Sequence, residues 1–278
     1  MTMTVTTVTV TTMTVTTMTV RSDVASNTLN GKVVFITGAG AGIGEGVARH
    51  LATRGAVLAL AGRTLSKVKA VADAINSEGG RALALQCDVN QRSKVDAAVS
   101  ATVDEFGTVD VCVNNAQGGG AGICPPIEEL TDEHILTAHL GGPLATLYGM
   151  QACFPHMKDR GGTIVNMGSS TGVLGDRRFA AYGMAKEGIR SLTKHAANEW
   201  GRYGITVNVI CPATLTEGSA AFRDAQPDRW AQVIREIPLG RMGDSAADIG
   251  PTVAALATDL RYLTGATLML DGGRCILR

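Results

Sequence analysis

Three side chains between residues 169 and 186 have the types and spacing needed to move a proton to or from an oxygen atom. Tyr182 and Lys186 are four residues apart, so a helix through them places both side chains on one face. A phenol ionises at about pH 10, and a neighbouring ammonium favours the phenolate and lowers the pKa of the phenol. Tyr182 could then exchange a proton with an alcohol or a carbonyl compound near neutral pH. Ser169, thirteen residues before Tyr182, could hydrogen-bond the same oxygen.

A glycine-rich turn near the other end of the chain predicts a binding site for a pyrophosphate. Residues 37–44 read TGAGAGIG and directly follow the apolar run KVVFI, which predicts a strand, a turn and then a helix. Glycines let the backbone turn tightly and approach a pyrophosphate at the N-terminus of the helix. The predicted cofactor contacts of this turn are Gly38, Gly40, Gly42, Ile43 and Gly44.

From residue 32 onward, apolar runs alternate with amphipathic stretches, which is typical of βαβ units and a parallel sheet. Strands are predicted at residues 32–37, 56–61, 81–86, 109–114, 161–168, 204–211 and 266–270. Helices are predicted at residues 42–54, 64–78, 91–106, 131–157, 180–201 and 245–259. Residues 214–240 are interpreted as a helical flap inserted before the last helix.

The chain is expected to form one domain, because no internal repeat or linker interrupts residues 24–278. Residues 1–20 are almost purely Thr, Val and Met. Their alternation would give a strand with two nearly equivalent faces and a poorly specified register. Residues 1–23 are therefore predicted to be a low-complexity, disordered tail or the product of a start codon placed too early. The alternative is a segment that contacts a membrane or a partner.

Composition argues against several classes of partner. The formal net charge is +0 and the pI is about 7.0, so neither a nucleic acid nor an anionic membrane surface is expected. No apolar run reaches the roughly 18 residues of a membrane-spanning helix. The six cysteines show no paired spacing, which favours reduced thiols in the cytoplasm over disulfides or a metal site.

Taken together, the motifs resemble those of the short-chain dehydrogenase/reductase family, in its single-domain branch. The resemblance covers residues 30–273 and includes the glycine turn, Asn114-Asn115-Ala116, Ser169 and the Tyr-x-x-x-Lys pair. It implies an α/β fold of the Rossmann type, a doubly wound parallel sheet of seven strands with helices on both faces. It also implies a reversible hydride transfer between a nicotinamide and a secondary alcohol or ketone. In this family, Tyr182 would act as acid and base, Lys186 would lower the pKa of Tyr182 and hold the nicotinamide ribose, and Ser169 would position the substrate oxygen.

The resemblance places the cofactor-specific residue after the second predicted strand. Gly62 stands where relatives that prefer NAD carry an Asp, which would bind the ribose hydroxyls. The next residue, Arg63, can meet a 2′-phosphate. The family's other common basic residue is replaced by Ala41. NADP(H) is therefore favoured as the cofactor, and NAD(H) is the alternative.

Further cofactor contacts follow from matches at the ends of later strands. Asp88 and Val89 match a pair that touches the adenine ring. Asn115 and Ala116 match residues that line the cofactor, although Gln117 replaces the family's Gly. Around the nicotinamide amide, Pro212 and Leu215 match the family, Ala213 replaces Gly, and Glu217 stands where Thr is expected, with Thr216 one place earlier. The cofactor contacts implied outside the glycine turn are Arg63, Asp88, Val89, Asn115, Ala116, Tyr182, Lys186, Pro212 and Leu215.

His139 occupies the place of an Asn that in relatives holds a water molecule in a proton relay from the lysine. An imidazole can donate and accept hydrogen bonds, so His139 could keep the relay, and it titrates near neutral pH. Pro143 removes the helical hydrogen bond to the carbonyl of His139. We therefore expect the helix to bend there and to leave that carbonyl free for the relay water. The alternative is that His139 only fills space beside the sheet.

The substrate pocket is expected to be closed by residues 118–125, 172–179 and 214–238. As an alternative to an apolar substrate, Arg177 and Arg178 could bind a carboxylate or the phosphates of a thioester, as in a 3-oxoacyl carrier-protein reductase. A nucleotide-binding sensor or scaffold without turnover is the alternative of another class. The C-terminal stretch LTGATLMLDGG matches a strand that often supports a homotetramer, so a tetramer or a dimer is expected. The apolar residues that favour a steroid, terpenoid or aromatic substrate are Leu174, Phe179, Phe222 and Trp230.

Overall fold

The fold is described from a computed structural model that covers residues 29–118 and 124–277, with the backbone alone at residues 217, 218, 221 and 222. The predicted tail at residues 1–23 lies outside the described residues. So do residues 119–123 of the predicted pocket wall and the side chain of Phe222. No helix in the described part of the chain combines the length and apolar character needed to cross a bilayer.

The core of the fold is one parallel sheet. Its seven strands are β1 (Val33–Thr37), β2 (Val57–Gly62), β3 (Arg81–Gln86), β4 (Val111–Asn114), β5 (Gly162–Met167), β6 (Ile205–Pro212) and β7 (Thr267–Leu270). The order across the sheet is β3-β2-β1-β4-β5-β6-β7, and every neighbouring pair is parallel. The chain therefore winds outward from β1 in both directions. The predicted doubly wound Rossmann-type sheet is confirmed.

Helices cover both faces of this sheet. The α-helices are α1 (Gly42–Thr53), α2 (Leu65–Ser77), α3 (Arg92–Phe106), α4 (Asp132–His139), α5 (Ala145–Met157), α6 (Ser170–Leu174), α7 (Ala180–Trp200), α8 (Glu217–Ala225), α9 (Pro227–Arg235) and α10 (Gly250–Ala257). α1, α2 and α10 pack in one apolar cluster, and α3, α5 and α7 pack in another. Val34 and Ile36 of β1 point into the first cluster and Phe35 into the second. Because both faces are buried, the strands form continuous apolar runs rather than alternating ones.

The predicted helix at residues 131–157 is divided by a π-helical turn at the proline. α4 ends at His139, the π-helical turn follows at Leu140–Leu144, and α5 begins at Ala145. In a π-helical turn, each carbonyl accepts a hydrogen bond from the amide five residues later, which accommodates Pro143, whose nitrogen carries no hydrogen. The carbonyl of Gly141 in this turn bonds outside the helix, where it accepts the amide of Gly118 at 3.0 Å. The bend and the free carbonyl expected at His139 stay predictions.

The predicted last helix also begins with a π-helical turn, at Ser245–Ile249, before α10. The carboxylate of Asp244 caps this turn by accepting the amides of Ala246 and Ala247 at 2.8 and 2.6 Å. The turn packs against α1, where a Cβ added to Gly46 would lie 2.4 Å from the Cβ of Ser245. The wider turn is therefore shaped by close contact with α1, which a sequence window does not contain. The predicted flap consists of α8 and α9.

Candidate active site

The turn between β1 and α1 is shaped to receive an anion. Gly38 and Gly42 have left-handed backbones, with φ of 68° and 59°. A Cβ at Gly44 would lie 2.4 Å from the carbonyl oxygen of Gly38. Ala41 is the N-cap of α1 and offers no side-chain hydrogen bond, so the first amides of the helix keep their donors for a ligand. Together with Gly40 and Ile43 next to them, these donors fit a pyrophosphate.

The two halves of the sheet are joined beside this turn. The side-chain amide of Asn115 donates to the carbonyls of Thr37 and Gly38 at 2.9 and 3.2 Å. The hydroxyl of Thr37 accepts the backbone amides of Asn115 and Ala116 at 3.1 and 3.0 Å. β1 and β4 are neighbours at the place where the strand order reverses, which is where open α/β sheets bind their ligands. The structure thus brings Asn115 and Ala116 to the glycine turn.

A cleft of about 190 Å³ opens at this switch point. Asp88, predicted to touch the adenine, is not among the lining residues. Its carboxylate accepts the amide of Asn90 at 3.1 Å and the side chain of Gln91 at 3.2 Å, just before α3. The cleft is lined by Gly38, Gly62, Arg63, Cys87, Val89, Asn115, Ala116, Gln117 and Gly118.

At the end of β2, the packing leaves little room for a side chain at residue 62, the position where an acid would bind ribose hydroxyls. A Cβ at Gly62 would lie 2.8 Å from Cγ2 of Val68, because the first turns of α2 pack over this point. The same helix brings Lys67 close to the glycine turn, with its Cβ 3.1 Å from a Cβ placed at Gly40. Among the described residues, neither Lys67 nor Arg63 has an ion-pair partner. Lys67 was missed from the sequence, although it lies four residues after Arg63.

Ser169, Tyr182 and Lys186 lie together at the ends of β5 and β6. Lys186 and Tyr182 share α7, with the Lys186 Nζ 5.5 Å from the centre of the Tyr182 ring. The same Nζ donates to the carbonyl of Met167 at 2.9 Å. Ser169 caps α6, a short helix that the sequence did not predict, and its hydroxyl accepts the amide of Thr171 at 3.2 Å. The Ser169 hydroxyl also lies near enough to the phenol of Tyr182 to lower its pKa.

The electrostatics of this group differ from the expectation for Tyr182. Burial raises the pKa of the Tyr182 phenol, and the nearby hydroxyl of Ser169 offsets this rise only in part. Burial also lowers the pKa of the Lys186 ammonium to about 8. The expected lowering of the Tyr182 pKa by Lys186 is therefore corrected for the protein without cofactor. The removal of both groups from water outweighs their attraction.

His139 lies at the last residue of α4, directly before the π-helical turn. Its Nδ1 is 3.0 Å from the carbonyl oxygen of Ile135 on the same helix. A carbonyl can only accept, so Nδ1 carries the proton and Nε2 is the ring's acceptor. The structure thus gives His139 a defined tautomer through its contact with Ile135.

The loop after β6 contains an orphaned polar atom. The hydroxyl of Thr214 is buried and has no hydrogen-bond partner among the described residues, and a buried unpaired hydroxyl is costly. It lies two residues after Pro212 and next to Leu215, whose amide donates to Gly243 at 3.1 Å. Thr216, expected to replace a family Thr, instead bonds Ser219, with its amide 2.6 Å from the Ser219 hydroxyl. Thr214 is thus a candidate contact for the cofactor that the sequence did not reveal.

Among the described residues, no cluster of three His, Cys, Asp or Glu side chains is placed to hold a metal ion. All six cysteines lie in the part of the chain that the structure describes, where they are buried and form no disulfide.

Comparison with known proteins identifies the family. A family model described as enoyl-(acyl carrier protein) reductase matches residues 38–274. The chain belongs to the short-chain dehydrogenase/reductase family. It is a nicotinamide-dependent oxidoreductase that acts on an alcohol or a ketone, so the alternative of a sensor without turnover is not favoured.

Two curated relatives and one solved structure illustrate the similarity. A 12alpha-hydroxysteroid dehydrogenase of Clostridium sp. is 37% identical over 252 residues, covering 88% of this chain and 96% of that protein. A 3-oxoacyl-[acyl-carrier-protein] reductase of Staphylococcus aureus is 34% identical over 247 residues, covering 87% of this chain and 97% of that protein. The crystal structure of a blue fluorescent protein from a metagenomic library, in complex with NADPH, is 33% identical with a TM-score of 0.79, covering 89% of this chain and 99% of that one.

The buried ammonium yields a prediction about stability and pH. The folded-state pKa of Lys186 is about 8, below the ordinary lysine value of 10.5, so the folded protein binds fewer protons between these values. The cost of burying the charge is full below about pH 8 and is lost as the pH rises toward 10.5. The free energy of unfolding of the wild type, minus that of Lys186→Met, should therefore rise by about 3 kcal/mol across this window.

Urea unfolding at several pH values, without added nucleotide, measures this difference. Lys194→Met is the matched control, because Lys194 is exposed on the same helix. Its difference from the wild type should stay constant. A constant difference for Lys186→Met as well would contradict the prediction.

Proposed function

We propose that the protein is an NADP(H)-dependent enzyme that interconverts an apolar secondary alcohol and its ketone, such as a steroid, a terpenoid or an aromatic compound. The observation that carries the proposal is the group formed by Ser169, Tyr182 and the buried Lys186. It lies at the same edge of the sheet as the glycine turn. When bound, the nicotinamide supplies or accepts the hydride.

The chain's own residues handle the proton. The phenol of Tyr182, protonated at neutral pH because its pKa is raised, donates a proton to the carbonyl oxygen during reduction. The hydroxyl of Ser169 donates a hydrogen bond to the same oxygen and holds it beside the phenol. The ammonium of Lys186 binds the nicotinamide ribose, and its charge favours the phenolate when an alcohol is oxidised. In the reverse direction Tyr182 takes the proton back.

The cofactor preference is supported by the end of β2. Val68 fills the space that an acidic side chain at Gly62 would need, and Arg63 and Lys67 offer two positive charges without partners beside the glycine turn. Two such charges suit a 2′-phosphate. The metagenomic relative in complex with NADPH agrees with this preference. NAD(H) remains the alternative cofactor.

The substrate preference is supported by apolar side chains near the phenol. The ring of Phe179 lies 6.3 Å from the ring of Tyr182. Leu174, the last residue of α6, and Leu215, in the loop after β6, are 45% and 44% exposed. The hydroxysteroid dehydrogenase relative fits an apolar substrate. The second candidate is a 3-oxoacyl thioester, favoured by the Staphylococcus relative and by the exposed side chain of Arg177.

We also propose a cytoplasmic enzyme that forms a dimer or a tetramer. Six free, buried cysteines suit a reducing compartment. Exposed apolar side chains on neighbouring helices support association between copies. They are Leu136 of α4, Leu144 of the π-helical turn and Met184 of α7.

Substitution of the phenol tests the function. Tyr182→Phe should lower turnover in both directions by roughly 10²–10⁴-fold, because the transferable proton is lost. Its affinity for NADPH should be unchanged. Nicotinamide absorbance with a panel of ketones, alcohols and a 3-oxoacyl thioester measures turnover. Tyr203→Phe is the control, because Tyr203 packs against Phe154 at the far end of α7. A Tyr182→Phe enzyme that keeps about a tenth of the activity would sink the assignment.

Removal of the positive side chains of Arg63 and Lys67 tests the proposed preference for NADPH over NADH. Arg63→Ala and Lys67→Ala should each weaken NADPH binding by about tenfold, because each removes a charge-assisted contact to the 2′-phosphate, and should leave NADH binding unchanged. Fluorescence titration measures both affinities. Lys69→Ala is the control, because Lys69 lies on α2 but pairs with Asp73 at 2.7 Å. Tighter binding of NADH than of NADPH by the unaltered protein would contradict the preference.

We propose a relay role for His139, since its Nε2 is the ring's acceptor beside the π-helical turn. His139→Asn should keep activity, because the Asn side chain can also donate and accept a hydrogen bond. His139→Leu should be much slower, because it can neither donate nor accept a hydrogen bond. His195→Leu, on the exposed side of α7, is the control. Equal turnover of His139→Leu and of the unaltered protein would reduce His139 to packing.

A further inference from the structure

Arg178 has an unusual backbone for its residue type. It is the one described residue other than glycine with a positive φ, at 65°. A side chain with a Cβ is disfavoured in this region, so the surrounding contacts must hold it there. Arg178 stands four residues before Tyr182. Directly after it the chain enters α7, where the carbonyl of Phe179 accepts the amide of Gly183 at 2.7 Å.

Two hydrogen bonds join Arg178 to the loop that follows β4. The amide of Cys124 donates to the carbonyl of Arg178 at 2.7 Å. In return, the Nε of Arg178 donates to the carbonyl of Cys124 at 3.2 Å. Both main-chain groups of Cys124 are therefore satisfied by a single residue that is 54 positions away in the sequence. We call this pair of bonds the Arg178 clamp.

The clamp is anchored against the catalytic helix. Cys124 is buried, and it packs in a small apolar cluster with Ala138 of α4 and with Ala181 and Ala185 of α7. Ala181 and Ala185 directly precede the two residues of α7 that belong to the active group. The clamped loop therefore rests on the same helix that carries the phenol, and its position is set relative to that helix.

The other end of the Arg178 loop is fastened as well. The carboxylate of Asp176 accepts the hydroxyl of Thr171 at 3.0 Å. The guanidinium of Arg274, near the C-terminus, lies 3.6 Å from the same carboxylate and 3.3 Å from that of Glu236, at the end of the flap. The segment from Asp176 to Arg178 is thus held from both sides, between two predicted walls of the substrate pocket.

We propose that Arg178 is a positioning residue that sets the width of the substrate entrance, by holding the loop of Cys124 and the loop before α7 at a fixed separation. The inference rests on the proposed function, in which the substrate lies over Ser169 and Tyr182. The clamp uses the Arg178 main chain and Nε. The Arg178 side chain therefore serves to join two protein loops. The competing role is that its guanidinium binds an anionic part of the substrate.

Four variants separate these roles. Arg178→Gly loses the Nε bond and also the Cβ that disfavours a positive φ, whereas Arg178→Ala loses the same bond and keeps that Cβ. Arg178→Lys keeps the positive charge and the Cβ but lacks the Nε donor. Arg202→Ala is the control, because it removes an exposed arginine that lies outside the predicted walls of the substrate pocket.

We expect the KM for the ketone to rise about threefold in Arg178→Gly and about tenfold in Arg178→Ala. The order follows because Ala keeps a Cβ that disfavours the left-handed backbone and lacks the bond that holds Arg178 there. Arg178→Lys also keeps the Cβ and should resemble Arg178→Ala. The kcat, the affinity for NADPH and the constants of Arg202→Ala should stay within about twofold, because the reacting groups and the cofactor cleft are untouched.

Hydrogen exchange of a peptide that spans Cys124 reports on the clamp without substrate. Exchange should be faster in Arg178→Gly and Arg178→Ala than in the wild type and in Arg202→Ala. Unchanged exchange in Arg178→Ala would overturn the clamp. Faster exchange with an unchanged KM, or an Arg178→Lys enzyme with wild-type KM, would overturn its role in the entrance. Absence of turnover by the unaltered protein would count against the proposed function. The exchange measurement would still test the Arg178 clamp, because it needs no substrate and no turnover.

Discussion

The hydroxyl of Thr37 lies at the point on which the rest of the site depends. By accepting the amides of Asn115 and Ala116, it fixes β4 against β1 where the chain changes its winding direction. The return bonds from Asn115 to the carbonyls of Thr37 and Gly38 fix the start of the glycine turn. A shift between these two strands would open the cleft, turn the helix N-terminus away and separate the nucleotide site from the proton-transfer group. The main chain of the switch point is therefore part of the binding site.

Most of the fold could be predicted from the sequence, because buried parallel strands leave continuous apolar runs and the turns carry glycines. An irregularity of the helix at Pro143 was predicted for the same local reason, since a missing amide acts within one helical turn. Features that depend on distant contacts were not predicted. The π-helical turn at Ser245–Ile249 is shaped by Gly46, and the clamp at Arg178 by Cys124. Nothing in a short window of sequence records such neighbours.

In the candidate site, too, features set by neighbouring residues could be predicted, and features set by distant contacts could not. The spacing from Ser169 to Lys186 was enough to place the proton-transfer group, because α7 and its preceding loop are local. The direction of the Tyr182 pKa was not predictable from that spacing, since it depends on how much water the whole fold removes. Lys67 and the buried hydroxyl of Thr214 were also missed. Their relevance appears only when α2 and the loop after β6 are placed beside the glycine turn.

The contact between Gly62 and Val68 has a consequence for how cofactor use could change during evolution. Relatives that differ in cofactor are often compared by the charge at the end of β2. In this protein the same position is closed by shape, because the first side-chain carbon at residue 62 would already overlap Cγ2 of Val68. An acid can enter only if the Val68 side chain turns aside, residue 68 becomes smaller or α2 moves. A smaller residue 68 by itself would leave a gap beneath the glycine turn with no new ligand contact in exchange. Whether an acid arises at residue 62 therefore depends on the order in which the two substitutions occur.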